Sequence, residues 1–159
     1  MYGYKKVIEA LQAKVAALTD PEETTGTHIF SKVTIGQPEK ISFYNGPGAV
    51  LLFGDVSKIE CRGTGGQLKQ ATIDGAIITF IPGNTAKSVL KCYHYSDIIG
   101  DLLENRKALE LRGCTITNST TTPHNWRTVD VNKATNPKQP KKCIAGATLF
   151  TITKSKEKN

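Results

Sequence analysis

Along the first eighteen residues apolar side chains return with helical spacing. At 100° per residue Tyr4, Val7, Ile8, Leu11, Val15 and Leu18 fall within a stripe of about 100°. Lys5, Lys6, Glu9 and Gln12 take the other faces, so an amphipathic helix is expected over about 4–18. It should stop near Thr19-Asp20-Pro21, because proline disfavours helical geometry in the residue before it. The polar run PEETTGT then reads as a loop.

The period changes from 3.6 to 2 beyond that loop. HIFSKVTIG (28–36) sets Ile29, Ser31, Val33 and Ile35 against Phe30, Lys32 and Thr34, the alternation of a strand. KISFYN (40–45) is rich in β-formers, and NGPG (45–48) is strong turn chemistry. AVLLF (49–53) is apolar on both faces and reads as a central strand covered on two sides. Residues 54–66 read as a polar connection, with the glycine cluster RGTGGQ (62–67) as a hairpin tip rather than an anion cradle. Residues 67–84 read as one long strand with a bulge near Asp74-Gly75, ended by Pro82-Gly83.

A second helix is expected over about 96–109. Ser96 is a good N-cap and Asp97 suits the first turn, although the helix could open as early as Lys87. Ile98, Ile99, Leu102, Leu103 and Leu109 cover one apolar arc of about 140° on it. Residues 111–117, the short run RTVDV and residues 143–154 follow as strands, separated by the polar loops 118–126 and 132–142. Two separated helices, with three or four strands between them and two or three after the second, give an α+β domain spanning 1–159. An antiparallel or mixed sheet would carry both amphipathic helices on one face.

Composition narrows the picture little. At 159 residues with 38% hydrophobic and 22% charged, the chain can build a real core. The apolar runs are too short to cross a bilayer, and charges through the N-terminal segment do not fit a signal peptide, so a soluble protein is expected. The net charge of +7 suits an acidic partner such as nucleic acid, but the excess is scattered. Its densest parts are 136–142, with Lys138, Lys141 and Lys142, and the tail 154–159, which reads as flexible; neither interleaves aromatic residues for stacking on bases.

The candidate chemistry is concentrated in KCYHYSD (91–97), where Cys92, His94 and Asp97 stand close. In an extended segment Cys92 and His94 would share a face, as a thiolate–imidazole pair requires. A cysteine nucleophile, however, draws its histidine from elsewhere in the fold and needs oxyanion donors, and no glycine-rich segment adjoins Cys92. A metal site with His124 or Cys114 is the alternative, and plain structure is the preferred reading. GNTAKS (83–88) imitates a phosphate loop, but Ala86 stands where glycine is required before the lysine. Cys61, Cys92, Cys114 and Cys143 lie too far apart in sequence for a zinc ribbon, leaving buried thiols or disulfides within or between chains. Trp126, in HNW after Pro123, is either a core anchor or an interface contact. The residues point away from catalysis and from any cofactor.

The order of elements resembles the tail terminator and minor tail proteins of long-tailed phages. The features that carry the likeness are the helix YKKVIEALQAKVAAL, the turn GPGAVLLF, the strand ATIDGAIITFIPGN, the helix SDIIGDLLENRKAL and the late strand ATLFTITK. The resemblance implies a non-enzymatic virion protein, made in the host cytoplasm and placed at the tail or neck. It would form a hexameric ring with copies of itself, cap the tail tube and meet the tube protein and the neck or connector proteins. Other head–tail connector and head-completion proteins share this appearance. The contact residues would then lie in 54–67 and 132–142, with Arg62, Gln67, Trp126, Lys138, Lys141 and Lys142 as candidates. Basic residues could touch DNA in the ring lumen without reading its sequence. Oxidation after assembly could join subunits through cysteines. A small basic nucleic-acid-binding module is the competing reading.

Overall fold

A computed structural model describes residues 2–36, 46–63, 66–105, 113–118, 124–131 and 141–156. The order of elements is α1 (Tyr4–Ala16), β1 (Lys32–Ile35), β2 (Gly48–Gly63), β3 (Gly66–Pro82), α2 (Ala86–Glu104), β4 (Cys114–Asn118), β5 (His124–Val131) and β6 (Lys141–Ser155). The fold is α+β on one mixed sheet. Its strands run β1-β2-β3-β6-β4, and β5 pairs with β6 as well. β1 is parallel to β2, and every other pairing is antiparallel. The far edge of β6 is shared, its first half by β5 and its last half by β4.

Alternation along the two middle strands decides what packs where. Ile73, Ile77 and Ile81 of β3 and Ile144, Phe150 and Ile152 of β6 face the helices. Val7, Leu11 and Val15 of α1 and Cys92, Ile99 and Leu103 of α2 meet them in one cluster. Both helices therefore bury their stripes in the same core, on one side of the sheet. On the other face, Val50, Phe80, Cys143 and Ala145 make a smaller cluster. AVLLF is covered on both faces as its composition requires, since Ala49 and Leu51 belong to the first cluster and Val50 to the second.

Local chemistry sets the joints. The Gln12 side-chain amide donates to the Val33 carbonyl at 3.0 Å, tying α1 to β1. Gly75 lies opposite Phe150, whose ring passes so close that a Cβ at Gly75 would sit 2.4 Å from it. Phe150 also stacks edge-on against Phe53, with centroids 6.0 Å apart. Gly83 takes φ 99° to turn β3 into α2, and its N–H donates to the Lys142 carbonyl at 2.8 Å.

Four expectations need correction. Residues 54–63 are not a connection: they continue β2, paired with β3 up to Gly63↔Gly66, so RGTGGQ is the tip of a long hairpin. The bulge lies on β2 at Gly54-Asp55, opposite Asp74, rather than at Asp74-Gly75. α2 begins at Ala86 with Thr85 as N-cap, ten residues before the expected start. Helix formers between 86 and 95 outweigh the capping preference of Ser96, which is fully buried within the helix. The tail is also shorter than expected, because Lys154 and Ser155 belong to β6 and Lys154 is buried. KISFYN and Leu109 lie outside the described residues.

Candidate functional site

The largest departure from a closed sheet is the β2–β3 ribbon. β3 is accompanied by β6 only from Gln70 to Pro82, and β2 by β1 only from Gly48 to Leu51. Beyond those limits, among the described residues, the two strands pair with each other, and the Lys156 N–H donates to the Lys69 carbonyl at 2.8 Å just past the end of β6. Four residues of each strand overhang the last β6 pair, roughly 13 Å at about 3.4 Å per residue. Among the described residues, the outer edge of β2 has no ladder partner from residue 52 to 63. An open edge invites pairing with another chain. Here it carries the bulge at Gly54-Asp55 and the charged Asp55 and Lys58, devices that restrict such pairing to a matched partner. Thr151 Oγ1 donates to Asp74 Oδ1 at 2.9 Å just where the bulge bends the ribbon.

The contact residues expected from the sequence distribute unevenly. Arg62 and Gln67 face each other in the ladder next to the hairpin tip, and Cys61 pairs with Leu68 one step behind. Lys141 and Lys142 begin β6, and Lys142 is exposed. Trp126 falls within the irregular part of β5 between His124 and Arg127. Lys138 lies outside the described residues, and so do the side chains of Cys61, Arg62, Gln67, Trp126 and Lys141. Arg62 and Gln67 thus come together at one place, while Lys141 and Lys142 sit at the opposite end of the long strands.

The segment KCYHYSD is helical, which separates its members. Residues two apart on a helix point about 200° apart. Cys92 is fully buried in the core, Asp97 is exposed, and His94 turns towards the loop after α1. Burial pushes the Cys92 thiol up to about 11, the opposite of what a nucleophile needs. Cys92 and Cys143 lie in clusters on opposite sheet faces, so neither can bridge the other, and burial keeps both from a neighbouring subunit. Cys114 is half-buried and is a free thiol, raised mainly by burial and partly offset by the Lys154 charge. The disulfide expectation is withdrawn for Cys92 and Cys143.

His94 makes an arrangement that sequence spacing concealed. Its Nε2 donates to Asp20 Oδ1 at 2.9 Å and stands 3.8 Å from Glu22 Oε2. Asp20 is 9% exposed, and the Glu22 N–H also donates to its Oδ1 at 2.9 Å. That backbone bond, then the His94 bond, hold the Asp20 carboxyl below its usual range. The only sequence signal was a carboxylate pair in DPEE after a helix end; a histidine 74 residues away cannot be matched to it by spacing.

GNTAKS sits between β3 and α2, the place a phosphate loop would take, but its polar groups serve the joint. Thr85 Oγ1 accepts from the Ser88 N–H at 3.4 Å, and Ser88 Oγ donates to the Pro82 carbonyl at 3.1 Å. A cleft of about 250 Å³ lies beside it, bounded by Pro47 and Pro82 and rimmed by Lys87 and Lys91. On the outer face of α2, Leu90 is 69% and Tyr93 38% exposed. No helix is long and apolar enough to cross a membrane among the described residues. No protein-family model matches the chain, and no curated protein matches it.

Proposed function

We propose that this chain is a structural assembly protein that closes into a ring with copies of itself. Its role would be that of a tail terminator, or a close neighbour at the neck, in a long-tailed phage. The observation that carries this reading is the β2–β3 arm, a paired ribbon that runs past the end of β6 and whose outer β2 edge has no ladder partner among the described residues. An arm that reaches from one subunit onto a different surface of the next makes a heterologous contact, the kind that closes by rotation into a ring. The bulge and the charges of Asp55 and Lys58 on the exposed part of β2 limit that contact to a partner of matching pattern. Leu90 and Tyr93 on α2 supply an exposed apolar patch that a neighbour can cover.

The test is termination of tube growth. A variant whose arm is shortened by replacing residues 60–69 with Asn-Gly keeps every pairing of β3 with β6. Intact protein added to polymerising tail tube protein is expected to give tubes of limited length in electron micrographs, and the shortened variant tubes of unrestricted length. Equal tube lengths with and without the intact protein reject the terminator role.

DNA contact is the second reading, favoured by Lys87 and Lys91 at the start of α2 and by the net charge of +7. It predicts binding that weakens steeply with salt and shows no sequence preference.

A further inference from the structure

We propose that Asp20, Glu22 and His94 form a binding site for one divalent transition cation of the zinc class. This goes beyond the assembly reading and does not depend on it. The three donor atoms come from two elements, the loop that follows α1 and the middle of α2, and lie within 4.8 Å of one another.

The distances fit one small ion. At bond lengths of about 2.1 Å, neighbouring donors of a tetrahedral zinc site stand about 3.4 Å apart. The measured separations from His94 Nε2, 2.9 Å to Asp20 and 3.8 Å to Glu22, lie on either side of that value. The Glu22 side chain is 79% exposed and so can swing inward, and the ion takes the place of the proton that His94 Nε2 gives to Asp20, the imidazole then carrying its proton on Nδ1. Asp20 is fixed by the Glu22 N–H, and the loop is closed by the Thr19↔His28 bridge and the Ile29 N–H donated to the Leu18 carbonyl at 2.9 Å. The His94 side chain is 32% exposed, which leaves water access to complete the coordination.

The charge balance is an independent argument. The Asp20 carboxylate is nine-tenths buried, and among the described residues its one ion-pair partner within 4 Å is the His94 imidazole. Two carboxylates facing one imidazole leave a negative pocket that a divalent ion neutralises. Lys91 acts on Asp20 from the same helix and opposes the ion, which limits affinity. The donor set chooses the metal class. Calcium takes six to eight oxygens, which two carboxylates cannot provide, while imidazole with carboxylate suits zinc and its neighbours. A bound ion would pin the 19–28 loop to α2.

The experiment uses the full chain, stripped with EDTA and titrated with zinc chloride by calorimetry, with cobalt absorption to report geometry. One ion per chain is expected, with a raised melting temperature, and Glu22→Gln and His94→Gln should each weaken binding by at least about tenfold. Excess calcium should not compete. A hydrogen bond with a purely structural role gives a different result: His94→Gln loses stability, but zinc binding is absent or unchanged. Absence of zinc binding to the intact chain overturns the site, and so does binding by Glu22→Gln equal to that of the intact chain. Should His94→Gln fail to fold, Glu22→Gln decides, because its side chain is exposed.

Discussion

Gly75 shows how a single position holds the middle of the sheet. Its missing side chain lets the Phe150 ring cross the β3 backbone, and a methyl group there would stand 2.4 Å from that ring. Gly75→Ala is therefore expected to destabilise the fold by about 1–3 kcal/mol, the range for overpacking. Urea unfolding should show a lowered midpoint with an unchanged slope. Cys92 makes a prediction of opposite kind. Its thiol is fully buried and raised from 9.0 to about 11, so folding favours the protonated form. That stability is present below pH 9 and is lost as pH rises towards 11. The two units amount to about 2–3 kcal/mol. Unfolding curves at pH 8 and pH 11 should differ by that order for the intact chain and by less for Cys92→Ala. Neither feature was legible as such: Gly75 is one more glycine near a turn signal, and Cys92 beside His94 imitates a reactive pair until helix geometry points them apart.

At the scale of elements, periodicity was a sound guide where one face alone is buried. α1 shows it, because Val7, Leu11 and Val15 are the buried positions that a helical stripe demands. α2 was legible only in its second half. Its first half buries Ser88, Cys92, Tyr95 and Ser96, a polar mixture that hides the stripe, and Ser96 looks like a cap because hydroxyl residues prefer that place. The Ser96 hydroxyl is buried without a hydrogen-bond partner, as are those of Thr79 and Thr148. Ser96→Ala removes the unmet group and adds helix propensity, so a stabilisation of about 0.5–1 kcal/mol is expected. A loss of more than about 1 kcal/mol in thermal unfolding would mean that the hydroxyl is bonded after all. The arm was misread for a related reason. Residues 54–58 are all exposed on the strand, and a polar, glycine-bearing stretch without an evident apolar face reads as a loop. The pairing of Asp20 with His94 was illegible on other grounds, since only the tertiary fold brings a loop and a helix face together.

For the whole molecule, the described fold divides into a helix-covered core and a β2–β3 ribbon that runs past the end of β6. The helices and the paired halves of β3 and β6 close one cluster, while beyond Gln70 the described pairing of the ribbon is its own ladder and the Lys156 N–H bond to the Lys69 carbonyl. We propose that this ribbon serves as a contact surface for another chain. A contact there would be sensitive to salt through the exposed charges of Asp55 and Lys58. The most direct measurement is absolute mass by multi-angle light scattering, for the intact chain and for the variant with residues 60–69 replaced by Asn-Gly. The account predicts a discrete species near six times 17.3 kDa for the intact chain, and a folded monomer for the variant. A 17.3 kDa monomer for the intact chain at every concentration and salt, indistinguishable from the variant, would contradict it.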